Sequence, residues 1–195
     1  MEINEEDVER ALATLKQGGV LVFPTETSYG LGCDATNPQA TERIMRMKDR
    51  PRDQALSVLV SDRAMVEVYG KVDPVLESII GKHWPGPLTI VFPTTNPFLS
   101  PDCVHGGTIA MRISSHPIAQ RLVTALGKPL VATSANVHGH SAAYSIEEAR
   151  KQFAQRDDGP DAYLDGGVLS EVPASMIIEC VKGEIVVHRM GSFKL

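Results

Sequence analysis

Residues 43–52, Arg-Ile-Met-Arg-Met-Lys-Asp-Arg-Pro-Arg, place five cations and one carboxylate in ten positions of a chain whose net charge is −5. The decade sums to +4, leaving −9 for all other residues. Charge concentrated against the sign of its background marks a place where an anion can be held. Lys48-Asp49-Arg50-Pro51-Arg52 matters most, because Pro51 biases Arg50 out of helical geometry and sets the cations at the mouth of a loop. A solvated helix end, with Lys and Arg complementing the macrodipole, accounts for the same stretch equally well.

Arg112 is more specific. Thr108–Ile113 alternates, with Ile109, Met111 and Ile113 on one face and Arg112 on the other. Its guanidinium therefore points either into a cleft, where it could take a carboxylate bidentately, or onto a solvated sheet face. Arg189, near the end of the last expected strand, has the same two options. Thr25-Glu26-Thr27, Thr133-Ser134-Ala135-Asn136 and the region of Ser175 put hydroxyls and an amide beside apolar strands, where ligand sites of α/β sheets gather. The same residues are also ordinary turn formers. No Walker loop, G-x-G-x-x-G or G-x-S-x-G occurs. Ser134 therefore reads as a ligand-contacting hydroxyl rather than a nucleophile, and any catalysis as positioning and charge stabilisation.

The elements that must position these residues interleave. A helix capped by Asn4 runs to Gly18-Gly19, followed by a buried strand over 20–23 that stops at Pro24. Residues 25–32, rich in hydroxyls and glycine, read as a loop. Asn37-Pro38 opens a second helix that ends in the basic cluster. Further strands are expected at 56–60, 88–92, 108–113 and 130–133, with helices from Asp73-Pro74 to Gly81, from His116-Pro117 to Gly127, and after the capping box Ser145-Ile146-Glu147-Glu148. A Lys182-Gly183 turn joins two last strands, 176–181 and 185–189. The class is α/β or α+β: one domain over residues 1–195, with a twisted sheet of mixed parallel and antiparallel strands flanked by helices. Apolar runs are of strand length, and the N-terminus, with Glu2, Glu5, Glu6 and Asp7, is unlike a signal or transit peptide. A cytoplasmic location without membrane contact is expected. Cys33, Cys103 and Cys180 lack metal-type spacing, and His138-Gly139-His140 has no third ligand beside it.

Seven segments in order span nearly the whole chain: 23–32 (Phe-Pro-Thr-Glu-Thr-Ser-Tyr-Gly-Leu-Gly), 48–51 (Lys-Asp-Arg-Pro), 84–89 (Trp-Pro-Gly-Pro-Leu-Thr), 109–112 with His116-Pro117, 128–136, 164–167 (Leu-Asp-Gly-Gly) and 188–191 (His-Arg-Met-Gly). Together they resemble the YrdC/TsaC family, the threonylcarbamoyl-AMP synthases, in the short form without an extra C-terminal domain. The resemblance implies a YrdC-like fold with a concave, positively lined cavity. It implies synthesis of threonylcarbamoyl-AMP and pyrophosphate from L-threonine, bicarbonate and ATP, feeding tRNA modification at adenosine 37. By the same resemblance, Thr25, Arg112, the Ala132 backbone and Ser175 hold threonine. Lys48 and Arg50 face the ATP phosphates as the catalytic cations, with Gln54, Thr108, Ser134, Asn136 and Arg189 around the nucleotide. Mg²⁺ accompanies ATP, with the triphosphate supplying most of its ligands. Transient contact with the transferase machinery that modifies tRNA is also implied. Leu59, Ala142, Met176 and Met190 depart from the family pattern. Two other readings stand beside this one: a double-stranded RNA-binding or ribosome-maturation factor using the basic cluster, and a divergent paralogue acting on another carbamoyl adenylate.

Overall fold

A computed structural model describes residues 4–195; Glu2 of the acidic N-terminus lies outside the described residues. The chain forms α1 (Glu5–Lys16), β1 (Leu21–Pro24), β2 (Tyr29–Gly32), α2 (Pro38–Met47), β3 (Val58–Leu59), α3 (Arg63–Tyr69), α4 (Glu77–His83), β4 (Leu88–Pro93), β5 (Thr108–Arg112), α5 (Pro117–Leu126), β6 (Leu130–Val131), β7 (Thr133–Ser134), α6 (Ile146–Phe153), β8 (Ala162–Tyr163), β9 (Met176–Val181) and β10 (Glu184–Arg189). The class is the expected mixture, but the strands divide between two sheets. One has the order β10-β9-β4-β5-β3-β6 and the other β7-β2-β1-β8. Both mix parallel and antiparallel pairs.

The expected strand over 130–133 is the joint between the sheets. β6 belongs to the larger sheet and β7 to the smaller, and Ala132 between them exchanges backbone and side-chain hydrogen bonds with Ser57. The stretch 25–32 is only partly a loop, because Tyr29–Gly32 pairs antiparallel with β1. Its glycines hide a strand that only the partners reveal. At Gly32 a Cβ would stand 2.0 Å from the Val131 carbonyl oxygen, so glycine there lets β2 and the sheet joint approach. Asp73-Pro74 starts a short 3₁₀ turn, and α4 then continues through Gly81 to His83 rather than ending at that glycine. α3 and β8 were not expected.

Local rules account for the helix ends. Asn37 Oδ1 accepts the Gln39 and Ala40 N–H groups at the start of α2. Its far end is a Schellman turn, with Asp49 N–H bonded to Arg46 O and Arg50 N–H to Met45 O. Asp49 takes the left-handed position at φ 49°. Arg156 grips its carboxylate with two bonds of 2.7 Å and also reaches Arg46 O, fixing the turn. This turn sends Lys48 and Arg50 in different directions.

In the larger sheet, Ile90, Met111 and Ile178 face the main core, while Thr89, Arg112 and Ile177 on the other face stay clear for a cleft. β1 is buried on both faces. Val20 and Val22 join the main core, and Leu21 and Phe23 a second one under α1 and α5. Gly32→Ala should therefore cost on the order of 3 kcal/mol, read by urea unfolding. Gly127→Ala, strained at φ 69° but with nothing within 4 Å of its Cβ, should cost about 1 kcal/mol.

Candidate active site

The basic decade is taken apart by the fold. Arg43 bonds Asp158 and Asp161 at 2.8 and 2.7 Å, Arg46 lies 3.6 Å from Asp158, and Arg52 pairs with Glu42 at 2.6 Å. Arg43 is a structural tie, and Arg46 and Arg52 are surface cations each set beside a carboxylate. Lys48 is buried and gives its Nζ to the backbone carbonyls of Ser134 and Asn136. Arg50 alone of the five reaches a cleft.

That cleft opens where the chain crosses between sheets, with about 860 Å³ of unfilled space including its mouth. Its walls bring together seven expected site residues: Thr25, Arg50, Arg112, Ala132, Ser134, Ser175 and Arg189. Lys48 and Asn136 stand behind the wall, the Asn136 amide bonding Val137 O and His140 O. Gln54 contributes only its carbonyl, which accepts Arg50 Nε at 2.8 Å, while its side chain is exposed. Thr108, on the cleft-facing side of β5 but further along it, gives its hydroxyl to His105 O and lies outside the lining.

Several expected contacts are already engaged within the protein. The Thr25 hydroxyl donates to Ser28 O at 2.7 Å and accepts the Thr27 and Ser28 N–H groups, so it builds the 25–28 turn. Both polar backbone groups of Ala132 are bonded to Ser57. The Ser175 hydroxyl links Thr89 at 2.9 Å to Arg189 at 3.0 Å. Thr27, of the expected 25–27 segment, lines the cleft too; Ser28, Ser57 and Thr89 also line it and were not singled out, although alternation through Ser57 and Leu59 would have marked Ser57. Leu59 lies in this wall, whereas Met176 is core and Met190 exposed. Ala142 stands outside the lining.

The three arginines differ in which edge they offer. Arg50 spends Nε and Nη2 on the carbonyls of Gln54 and Ala55, at 2.8 and 3.0 Å. Arg189 spends the same two atoms on Ser175 O and Oγ, at 2.8 and 3.0 Å. In each, Nη1 is the one nitrogen with no protein partner among the described residues. Arg112 is the reverse: Nη1 bonds Glu26 Oε1 at 2.8 Å, and Nε and Nη2 have no protein partner among the described residues. Burial pulls all three guanidinium pKa values down, and Arg112 and Arg50 pull that of Arg189 further. None of the lining residues is a carboxylate. Such a cleft can hold one planar carboxylate on a two-nitrogen fork and further anionic oxygens on single donors.

Burial first, and then Arg50, hold Lys48 down at about 7 from its ordinary 10.5. Between those values the unfolded chain keeps a proton that the folded one has released. The stability due to this group therefore rises with pH across that window, and the full cost of burying the charge falls below it. Urea unfolding at about pH 6 and about pH 9 should show a pH-dependent gap between the native protein and Lys48→Met. A gap of constant size would mean an amine of ordinary pKa.

The family model Sua5/YciO/YrdC, described as "Telomere recombination", matches residues 13–191. A protein named threonylcarbamoyl-AMP synthase from Halorhodospira halophila is 38% identical over 154 residues, covering 77% of this chain and 80% of that protein. One of the same name from Pseudoalteromonas translucida is 33% identical over 187 residues, 93% of this chain and 97% of its own. The crystal structure of P. abyssi Sua5 complexed with L-threonine superposes with a TM-score of 0.89 at 30% identity, covering 98% of this chain. The chain spans 56% of that Sua5 chain, little more than half its length. With its cleft, its sheet order and these relatives taken together, the chain belongs to the Sua5/YciO/YrdC family.

Proposed function

We propose that this protein is an L-threonylcarbamoyladenylate synthase, joining L-threonine, bicarbonate and ATP with release of pyrophosphate, and that residues 1–195 act as one YrdC-like domain. The observation that carries this is the unlike presentation of the three arginines. The Nε–Nη2 fork of Arg112 matches the carboxylate of an amino acid, and the single Nη1 atoms of Arg50 and Arg189 match separate phosphate oxygens. The relatives' names and the threonine bound to the P. abyssi protein point the same way.

On this assignment the carboxylate on Arg112 anchors threonine at the bottom of the cleft. Its amine forms an N–C bond to the carbon of bicarbonate while a C–O bond of bicarbonate breaks and water leaves, giving a carbamate. A carbamate oxygen then bonds to the α-phosphorus of ATP while the bond from that phosphorus to the bridging oxygen breaks, and the electron pair leaves with pyrophosphate. Charge builds up on the departing oxygens, where Arg50 and Arg189 stand with donors already oriented. Lys48 acts from behind by holding the carbonyls of Ser134 and Asn136, and so places Ser134 in the wall. Mg²⁺ would come with ATP and take its ligands from the triphosphate, since the lining supplies no carboxylate. The product is a mixed anhydride prone to hydrolysis, which suits hand-over in the cytoplasm to the transferase machinery that modifies tRNA position 37. The RNA-binding reading loses its footing, because Arg43, Arg46 and Arg52 are paired with carboxylates.

Pyrophosphate release should require ATP, L-threonine and bicarbonate together; turnover indifferent to threonine would remove the proposal. Arg50→Ala should lower kcat/KM by about 100-fold or more. Arg43→Ala should leave it within about 3-fold, with the damage appearing as a Tm lowered by roughly 2–4 °C. Equal losses of activity would instead describe a diffuse field of charge.

A further inference from the structure

We propose that Glu26 is a positioning residue that selects which edge of Arg112 meets the amino-acid substrate, and that it thereby sorts carboxylate from phosphate in the cleft. This rests on the assignment of Arg112 to the threonine carboxylate. Glu26 is itself outside the lining. It lies against Arg112 with only 13% of its side chain exposed, and Arg112 has 8%. Its Oε1 accepts Nη1, and its Oε2 accepts the Ser114 hydroxyl. Ser114 Oγ in turn accepts the His116 N–H at 3.2 Å, and His116 Nδ1 caps α5 by accepting the Ile118 N–H at 3.3 Å. The carboxylate is thus fixed at both oxygens, one of them through the start of a helix.

Two consequences follow from that geometry. With Glu26 on Nη1, the Nε–Nη2 side is the one edge of Arg112 on which neither nitrogen is engaged among the described residues, so a carboxylate that needs two free nitrogens meets that side. Arg50 and Arg189 are held at the opposite edge, and by carbonyls or a hydroxyl rather than by a carboxylate. Charge completes the distinction. The Arg112–Glu26 pair is neutral overall, so a polyphosphate gains little there and meets a nearby carboxylate. Among the described residues Arg50 and Arg189 have no such counter-charge in contact with them, and multiply charged oxygens are drawn to them. One carboxylate that never touches substrate therefore divides a cationic cleft into two unlike subsites.

Initial rates of pyrophosphate release with L-threonine or ATP varied in turn test this, with Glu26→Ala and Glu26→Gln beside the native protein. Glu26→Ala should raise KM for L-threonine by about 10-fold or more while KM for ATP moves less than about 2-fold. Glu26→Gln keeps an acceptor for Nη1 and should recover most of that loss. An unchanged threonine KM in Glu26→Ala, a parallel rise in both KM values, or a Gln variant as impaired as the Ala variant would each overturn the role. If Glu26→Ala does not fold, Ser114→Ala frees Oε2 and should raise the threonine KM alone by about 3-fold; no rise, or an equal rise for ATP, counts against it. L-Threoninamide separates the two levels. If the native protein uses it as well as L-threonine, Arg112 does not hold a carboxylate and the underlying assignment falls, whatever Glu26 does. If the native protein rejects it and Glu26→Ala is unaffected, only the role of Glu26 falls.

Discussion

Positive charge held away from water with too few carboxylates to match it is the constraint on which this fold turns. Lys48 and Arg112 are buried, and Arg50 and Arg189 border the same cleft. Among the described residues only Glu26 answers one of them as a bonded anion. The other three are held by backbone carbonyls of residues 54, 55, 134, 136 and 175, with the Ser175 hydroxyl assisting. Carbonyl dipoles cannot neutralise a cation, but they orient it and leave its charge for a ligand. Three connecting segments must therefore turn their carbonyls inward, and the irregular backbone around the cleft has a definite shape for that reason.

The larger sheet makes this arrangement possible by having two unlike faces. Ile90, Met111 and Ile178 bury one face, so the strands are anchored without help from the other. Thr89, Arg112 and Ile177 are then free to form a wall, since strand alternation alone gives them the opposite side. The Schellman turn after α2 does for the basic cluster what alternation does for the sheet. One left-handed residue, Asp49, separates a cation that holds a loop from a cation that faces the cleft.

Features with local causes were legible in the sequence. Asn37-Pro38 starts α2, Lys182-Gly183 turns the last hairpin with both residues at positive φ, and alternation put Arg112 opposite its apolar neighbours. Features that depend on distant partners were not. β2 is two glycines, a tyrosine and a leucine, and becomes a strand only against β1 and β7. Nothing near Arg43 or Arg46 distinguishes them from Arg50, because the carboxylates of Asp158 and Asp161 arrive from more than 100 positions away, and the partner of Arg52, Glu42, is brought to it only by the turn that ends α2. Glu26 was named only as part of the hydroxyl-bearing segment 25–27, with no role for its carboxylate, because its partner, Arg112, is 86 positions further on. Resemblance to a family recovered the list of cleft residues better than their contacts: Thr25, Ser175 and Ala132 are there, each with polar groups already engaged.

The parallel pairing of β4 with β9, Leu88 to Met176, reaches across nearly half the chain. Until β9 emerges during synthesis, β4 has an open edge on that side, and the cleft lacks Ser175, Ile177 and Arg189. The cationic wall is thus the last part of the molecule to exist. A chain still on the ribosome can own Arg50 and Arg112 without owning a site, and long-range closure of this kind is slow compared with helix formation. The final hairpin works as a latch on the whole assembly, and binding competence should appear in one step as it docks.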